Sequence, residues 1–264
     1  MTKKILAVVM GVLLVVSAFM FTACGSAFDG KYSEVTKEEV QTFASSVESN
    51  EIDKNANGVK LSYSYEYKEL NYEKKISVST TTIIENEKLS GEFKFNNYVR
   101  EGEVTETTES AVYLKDGAHY LSNKKTKNGT DVSTSKIKYE STLSYEGAMV
   151  KLLGVLSSLT IPSEGWYSLS NVLLKYSNAE GVTFYMDTTN SEVTKVKINL
   201  PKKDGATAQS YGEIYFVFDA NKCLTGFKME KTDVESDGET KTTYVVETNT
   251  KGPKFPSDLG SYQA

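Results

Sequence analysis

The stretch Val59–Glu69, "VKLSYSYEYKE", decides the fold class of this chain. Within it Leu61, Tyr63, Tyr65 and Tyr67 alternate with serine, glutamate and lysine. Successive side chains of a β-strand point to opposite faces, so apolar residues at a period of two mark a strand with one packed face and one wet face. The stretch therefore predicts a half-buried strand of an antiparallel sheet.

The same alternation recurs along most of the chain on both sides of residue 150. The segments are "KISVSTTTIIE", "GEFKFNNYVRE", "SAVYLKDGAHYLS", "KIKYEST", "GWYSLS", "VTFYMDT", "VTKVKINLP", "GEIYFVFD", "CLTGFKMEKT" and "TKTTYVVETN". Asp116-Gly117 predicts a type I′ hairpin, because that turn needs positive φ at both central residues. "FDANKCLTGF" and "VESDGETK" predict two further tight hairpins. About a dozen strands in meander order follow from this pattern.

Two helices interrupt the strand pattern. Thr36-Lys37-Glu38-Glu39 has the form of a capping box, and Val40, Phe43, Ala44 and Val47 then fall on one helical face. In "YEGAMVKLLGVLSSLTIP" a wide apolar stripe is formed by Met149, Leu152, Leu153, Leu156 and Leu159. Burying five such side chains is worth on the order of 10 kcal/mol, so this second helix is expected to lie against the apolar face of the sheet.

The predicted fold class is therefore mainly β with two to three helices (α+β). We expect a large curved antiparallel meander sheet that forms an open half-barrel wrapped around an apolar helix. A sheet of this many strands curls or closes, because long exposed edges are otherwise left unpaired.

The N-terminus has the layout of a secretory signal: Lys3 and Lys4, then an apolar run, then small residues before Cys24. The residues "FTACG" resemble the lipobox of bacterial lipoproteins, which implies cleavage before Cys24 and a diacylglyceryl group on its sulfur. Ile5 to Ala23 is long enough to compete as a membrane-spanning anchor. The residues at its end favour cleavage, so we expect residues 1–23 to be a lipoprotein signal peptide.

Cleavage would leave a lipidated tether, residues 24–35, and one half-barrel β domain, residues 36–264. This mature chain holds 28 basic and 35 acidic residues, a net charge of −7, which argues against a nucleic-acid partner. With Cys24 lipidated, Cys223 has no cysteine to pair with inside the chain, and its role is left open. The expected location is extracytoplasmic, on the cell membrane of a Gram-positive surface.

The order of these elements resembles the LolA/LppX-type lipoprotein-carrier superfamily of cell-envelope proteins. A lipid-anchored chain, an N-terminal helix, a long antiparallel meander and a helical insertion carry the resemblance, as does the late hairpin "VFDANKCLTGFKME". It implies an open β half-barrel that holds acyl chains between its sheet and its helices.

The sequence gives little support to an enzyme. His119 is the only histidine, and we interpret it as a half-exposed strand residue rather than a catalytic base. "DKNANG" and "DVESDG" begin like calcium-binding loops, but the twelfth position is Ser64 in one and Tyr244 in the other instead of glutamate. We therefore expect no enzymatic activity, no cofactor and no metal.

The aromatic residues at period two are best explained by plain core packing against the middle helix, but they are also candidates for the wall of a ligand cavity, and both roles can hold for different residues. With the middle helix, the candidate wall comprises Tyr63, Tyr65, Tyr67, Phe93, Phe95, Met149, Leu152, Leu153, Leu156, Phe216 and Phe218. The functional hypothesis is non-enzymatic binding of a lipid or other apolar molecule in the concave face of the sheet. The alternative is an interaction or sensory module that meets another envelope protein through its polar outer surface.

Overall fold

The structure is a computed structural model of the 264-residue chain. It describes residues 27–47, 58–85, 88–140, 168–176, 178–248 and 251–263. Three predictions fall outside these residues: the signal with Cys24, the first calcium-like turn, and the middle helix with Met149. Leu152, Leu153 and Leu156 of that helix lie outside them as well.

Twelve strands form one sheet, in which every neighbouring pair is antiparallel. The strands are β1 Ser33–Val35, β2 Gly58–Lys68, β3 Tyr72–Glu85, β4 Lys88–Glu101, β5 Val104–Lys115, β6 Ala118–Lys127, β7 Thr130–Glu140, β8 Thr183–Asn190, β9 Val193–Leu200, β10 Gln209–Asp219, β11 Leu224–Val234 and β12 Glu239–Thr248. The order across the sheet is β1-β8-β9-β10-β11-β12-β2-β3-β4-β5-β6-β7.

Two meanders, β2–β7 and β8–β12, make up this sheet together with β1, which pairs with β8 at one edge. β12 joins the two meanders by pairing with β2. In that pairing Tyr63 lies opposite Tyr244, while on its other side it lies opposite Val78. The chain leaves β7 at one edge of the sheet and enters the sheet again at β8, which lies next to β1 at the opposite edge. Within each meander the strand order is the expected one.

The sheet is curved and open, and it encloses one apolar core. A flat sheet of twelve strands spaced about 4.8 Å apart would be about 50 Å wide. Yet apolar side chains from β2 to β6 and from β8 to β12 belong to a single buried cluster. This confirms the predicted fold class.

Two α-helices among the described residues pack on that core: α1, Lys37–Ser46, and α2, Leu169–Tyr176. The capping box of α1 is confirmed, since the N–H of Glu39 donates to Thr36 Oγ1 at 3.2 Å and the N–H of Thr36 donates to Glu39 Oε2 at 2.7 Å. Val40 and Ala44 are buried against the core, as predicted.

One strand prediction was wrong. "GWYSLS" was expected to be extended, but Leu169 and Ser170 begin α2. A helical pattern that begins within this segment was missed. Its apolar residues have the spacing of one helical face: Leu169, Val172, Leu173 and Tyr176.

The hairpin turns divide between the two ends of the sheet. We call the end with the β2–β3, β4–β5, β6–β7, β9–β10 and β11–β12 turns the upper end, and the opposite end the lower end. At the lower end, Asp116 and Gly117 have φ values of 50° and 78°, as the predicted type I′ hairpin requires. At the upper end, Asn128 and Gly129 adopt the same conformation, with φ of 49° and 76°, in a hairpin that the sequence reading missed.

Candidate functional site

Five of the predicted wall residues lie in the core on the concave face of the sheet. Tyr63, Phe93, Phe95, Phe216 and Phe218 are each no more than 5% exposed, and all belong to one cluster. The alternation of these residues with polar ones therefore predicted correctly which side chains lie on the concave face. Which of these side chains would touch a ligand is a separate question.

Around β10 this face is filled by aromatic rings. Phe216 stacks with Phe218 at 6.2 Å between ring centroids and meets Phe227 edge-on at 5.1 Å. Phe43 of α1 meets Phe218 edge-on at 5.2 Å. Contacts of this kind are those of a packed protein interior, so Phe216 and Phe218 act here as core residues.

Tyr65 and Tyr67 lie closer to the upper end. Tyr65 is half-buried against the core, whereas the hydroxyl of Tyr67 donates to Glu69 Oε2 at 3.0 Å. This hydrogen bond is the main cause that raises the pKa of Tyr67 to about 12. The ring of Tyr67 lies 6.0 Å from that of Tyr72, beyond the buried cluster. The concave face of β2 thus becomes less buried and more polar toward its upper end.

Polar side chains also follow apolar ones on the concave face of β4 to β6. Asn97 follows Phe93 and Phe95 on the concave face, and its Oδ1 is buried without a hydrogen-bond partner among the described residues. On the neighbouring strands the hydroxyl of Ser110 donates to Asn123 Oδ1 at 3.2 Å. An unpaired buried amide oxygen is uncommon in a native fold.

His119 lies on the concave face near the lower end, beside Leu114. It is 4% exposed, so the predicted half-exposed position was wrong. Neither ring nitrogen has a hydrogen-bond partner in the described part of the chain, and burial lowers the pKa of the imidazole. Among the described residues, no acidic or nucleophilic side chain is therefore hydrogen-bonded to this imidazole.

A pocket of about 410 Å³ opens at the upper end, between the end of α2 and the connection from β9 to β10. It is lined by Tyr176, Ala179, Glu180, Val182, Leu200, Pro201, Lys203, Ala206, Ala208, Gln209 and Ser210. We call it the upper pocket. Tyr176, Val182 and Leu200 also belong to the concave core, so the pocket is continuous with it.

Tyr176 is the most informative residue of the upper pocket. Its hydroxyl is buried and has no hydrogen-bond partner among the described residues. Burial is the main cause that raises the pKa of this hydroxyl, with a smaller contribution from Asp233. Leaving a buried hydroxyl unpaired costs about 1–3 kcal/mol, which a ligand atom at this position would recover.

Charged groups flank the upper pocket on its concave side. Lys231 Nζ pairs with Asp233 Oδ1 at 2.8 Å, and both side chains are half-buried. Burial lowers the pKa of Lys175 on α2, and the positive charge of Lys231 lowers it further. Lys175, Lys231 and Asp233 thus form a group of charges close to Tyr176.

Exposed apolar side chains surround the same end. Leu70 in the β2–β3 turn is 91% exposed, Val132 near the β6–β7 turn 66%, and Leu174 on α2 79%. Val104 beside the β4–β5 turn is also exposed. Single exposed apolar residues are ordinary, but several at one end can mark a contact surface. We call these four residues the upper rim.

The outer face carries a second depression, a groove of about 390 Å³ across β3 to β7. It is lined by Ser77, Lys94, Phe95, Asn96, Glu109, Ser110, Ala111, Tyr113, Ser122, Asn123, Lys124, Thr134, Ser135 and Lys136. Most of the lining residues are of polar types. The sequence reading named no residue of this groove except Phe95.

The described residues contain no group of three or more side chains placed to hold a metal ion. Asp233 and Gly238 of the second calcium-like stretch lie at the β11–β12 hairpin, where Asp233 pairs with Lys231. Nor does any helix in the described ranges combine the length and apolarity that crossing a membrane requires.

Comparisons with known proteins add little. No family model and no curated protein sequence matches the chain. Among solved structures, the chain is similar to a β-barrel-like protein of a domain of unknown function, DUF1849, from Brucella abortus. The match has 10% sequence identity, covers 74% of this chain and 99% of the other, and has a TM-score of 0.25. The description of the fold therefore depends on the strand pairing given above.

Proposed function

We propose that this protein is a lipid-anchored envelope protein that binds a lipid or another apolar molecule on the concave side of its sheet. The observation that carries the proposal is the upper pocket, which opens from the apolar core at one end and is lined by Tyr176, whose buried hydroxyl has no hydrogen-bond partner among the described residues. Ligand pockets are typically of this size, mainly apolar, and supplied with a few polar groups that orient the ligand.

Binding would need no chemistry. An acyl chain entering the pocket leaves water, which is worth about 0.8 kcal/mol for each buried methylene group. The hydroxyl of Tyr176 would donate to an oxygen of the ligand. Release would follow by simple dissociation, as in a carrier of the LolA/LppX type.

The anchor is the second part of the proposal. Two acyl chains on Cys24 would hold the protein stably at a membrane, which one chain does only marginally. The net charge of −7 expected for the mature chain gives no attraction to anionic lipid. Acyl chains would therefore supply the membrane affinity.

The experiment is to purify the full-length protein from membranes and to identify bound molecules by mass spectrometry. Ala206→Trp would fill the upper pocket, and Ala220→Trp in the β10–β11 turn is the matched control. We expect a stoichiometric lipid or apolar compound with the native chain and the control, and loss of it with Ala206→Trp. An empty native protein, or equal loading of all three, would contradict the proposal.

Tyr176→Phe removes the hydroxyl but keeps the ring, so it tests the hydrogen bond to the ligand without changing the shape of the upper pocket. If the ligand accepts a hydrogen bond from this hydroxyl, removing it should weaken binding about tenfold, equivalent to about 1.4 kcal/mol. Unchanged affinity would show that Tyr176 contributes only its ring. The measurement is titration with the compound that mass spectrometry identifies.

A second candidate function is an interaction or sensory module, and the outer groove across β3 to β7 favours it. A photoreactive residue at Ser122, in the groove, should then yield one discrete crosslinked protein in intact cells. Thr134→Trp, which fills the same groove, should abolish that product. A crosslink that persists in the filled variant would argue against the groove as the binding surface.

A further inference from the structure

The segment that leads out of the predicted anchor is fastened to the outer face of the sheet. Phe28 is 6% exposed, and its ring meets that of Tyr215 on β10 edge-on at 6.1 Å. Gly226 on β11 lies beneath it, since a Cβ there would approach Phe28 Cε1 to 3.3 Å. Residues 24–35 were predicted as a tether, but these contacts make residues 27–35, its described part, a layer of the β domain.

A buried carboxylate secures the next residues. Asp187 on β8 is 7% exposed and accepts a hydrogen bond from the N–H of Lys31 at 2.7 Å. It also accepts from the N–H and the hydroxyl of Thr189, and these bonds lower the pKa of its carboxyl. A Cβ on Gly30 would come within 2.6 Å of Asp187 Oδ2, so the backbone approaches this carboxylate closely. The segment then continues into β1, which pairs with β8.

The distance from this layer to the anchor is short. Cys24 precedes Ala27 by three residues, which span at most about 11 Å because an extended chain covers roughly 3.3–3.6 Å per residue. A diacylglyceryl group on Cys24 would therefore hold the outer face near Phe28 at the surface of the bilayer. A flexible tether of a dozen residues would have left the domain free to turn.

The outer face around Phe28 has the side chains of a membrane interface. Lys197 Nζ lies over the rings of Tyr185 and Tyr215, at 5.6 Å from each centroid, and Lys228 Nζ lies 5.4 Å from that of Tyr215. Tyr32 packs edge-on against Tyr215 at 6.1 Å. Tyrosine favours the headgroup level of a bilayer, and each of these two lysines also pairs with a glutamate of the same face.

We propose that the outer face of β9 to β11, with residues 28–32 upon it, lies against the lipid headgroups of the anchoring membrane. This inference rests on the lipid anchor of the proposed function and adds an orientation to it. Phe28 packs near Val217, whereas the upper pocket begins at Gln209. Those eight residues of β10 span about 27 Å. The upper pocket would thus open away from the attachment point, toward whatever delivers or receives the ligand.

The test measures how close two outer-face positions of similar exposure lie to the lipid headgroups. Glu230 on β11 lies in the proposed contact and Lys124 on β6 lies in the other half of the sheet, with side chains 45% and 43% exposed. In a Cys223→Ser background, Glu230→Cys and Lys124→Cys would each carry a fluorophore on the full-length, acylated chain. The chain is reconstituted in phosphatidylcholine–phosphatidylglycerol vesicles that contain a headgroup-labelled quenching lipid.

We expect severalfold stronger quenching at position 230 than at position 124. Phe28→Ser, which removes the buried ring that fastens the segment, should bring the two values together without unfolding the sheet, as judged by circular dichroism. Equal quenching at both positions of the otherwise native chain, or stronger quenching at 124, would overturn the inference.

Mass spectrometry of the N-terminal peptide distinguishes the two ways of failing. If Cys24 carries no diacylglyceryl group, the proposed anchor is wrong and the orientation falls with it. If Cys24 is acylated and quenching is equal, the anchor stands and only the orientation is wrong.

Discussion

The imidazole of His119 gives the clearest prediction at the scale of a single residue. It is buried, its ring nitrogens have no hydrogen-bond partner among the described residues, and burial lowers its pKa. The unfolded chain, with a histidine pKa near 6.5, binds a proton more readily than the folded chain, so stability is lost as pH falls below that value.

We expect His119→Leu to raise the free energy of unfolding at pH 7 by about 1 kcal/mol, because a buried unpaired polar group is removed. Its advantage should grow between pH 7 and pH 5, measured by urea denaturation at each pH. As the chain has one histidine, no other imidazole contributes to this difference. A pH dependence identical to that of the native chain would contradict the assignment.

At the scale of an element, the C-terminal segment 251–263 acts as a cover for the outer face of β5 to β7. Tyr262 is buried and meets Tyr120 edge-on at 5.7 Å, and Leu259 packs with Ala111 and Tyr113. The N–H of Lys138 on the edge strand β7 donates to the carbonyl of Gln263 at 2.6 Å.

Tyr262→Ala should therefore lower the free energy of unfolding by about 3 kcal/mol, the usual loss for a large buried aromatic residue. Since an uncovered edge strand is a template for pairing with other chains, the variant should also self-associate more, measured by light scattering. Tyr262→Phe is the control, because it keeps the ring against Tyr120. A monomeric, fully stable Tyr262→Ala chain would show that the segment is only loosely held.

At the scale of the whole molecule, the upper rim should govern exchange of the ligand. Leu70→Ser, Val132→Ser and Leu174→Ser together should slow transfer of a fluorescent fatty acid from vesicles severalfold, since each of these side chains is largely exposed and lies at the end where the upper pocket opens. Stability should change little for the same reason. Tyr139→Ser, at an exposed position near the lower end, is the control. Equal slowing by the control would contradict a special role for the upper rim.

Much of the fold could be predicted because its signals are local. The alternation in Val59–Glu69, the turn residues Asp116-Gly117 and the capping box at Thr36 each act within a few residues, and each prediction is confirmed. The one strand prediction that was wrong has a local explanation too. The helical spacing from Leu169 to Tyr176 follows a segment with strand-like alternation, and the longer α-helical pattern prevails.

The candidate site was less predictable because burial depends on the partners of a residue and not on its own type. His119 and Phe216 both occupy alternating positions of strands, yet the sequence alone does not tell which one is fully enclosed. The upper pocket combines residues from α2 and from the β9–β10 connection, which approach each other only when the sheet is formed.

By itself the sequence determined the strand period, the Asp116-Gly117 hairpin and the capped helix, because each depends on neighbours along the chain. Only the tertiary structure decided that β12 pairs with β2, that the upper pocket opens beside Tyr176, and that Phe28 packs on Tyr215. These contacts join residues far apart in sequence, and they form where the curved sheet buries the most apolar surface. No short sequence pattern determines which of these long-range contacts bury the most apolar surface.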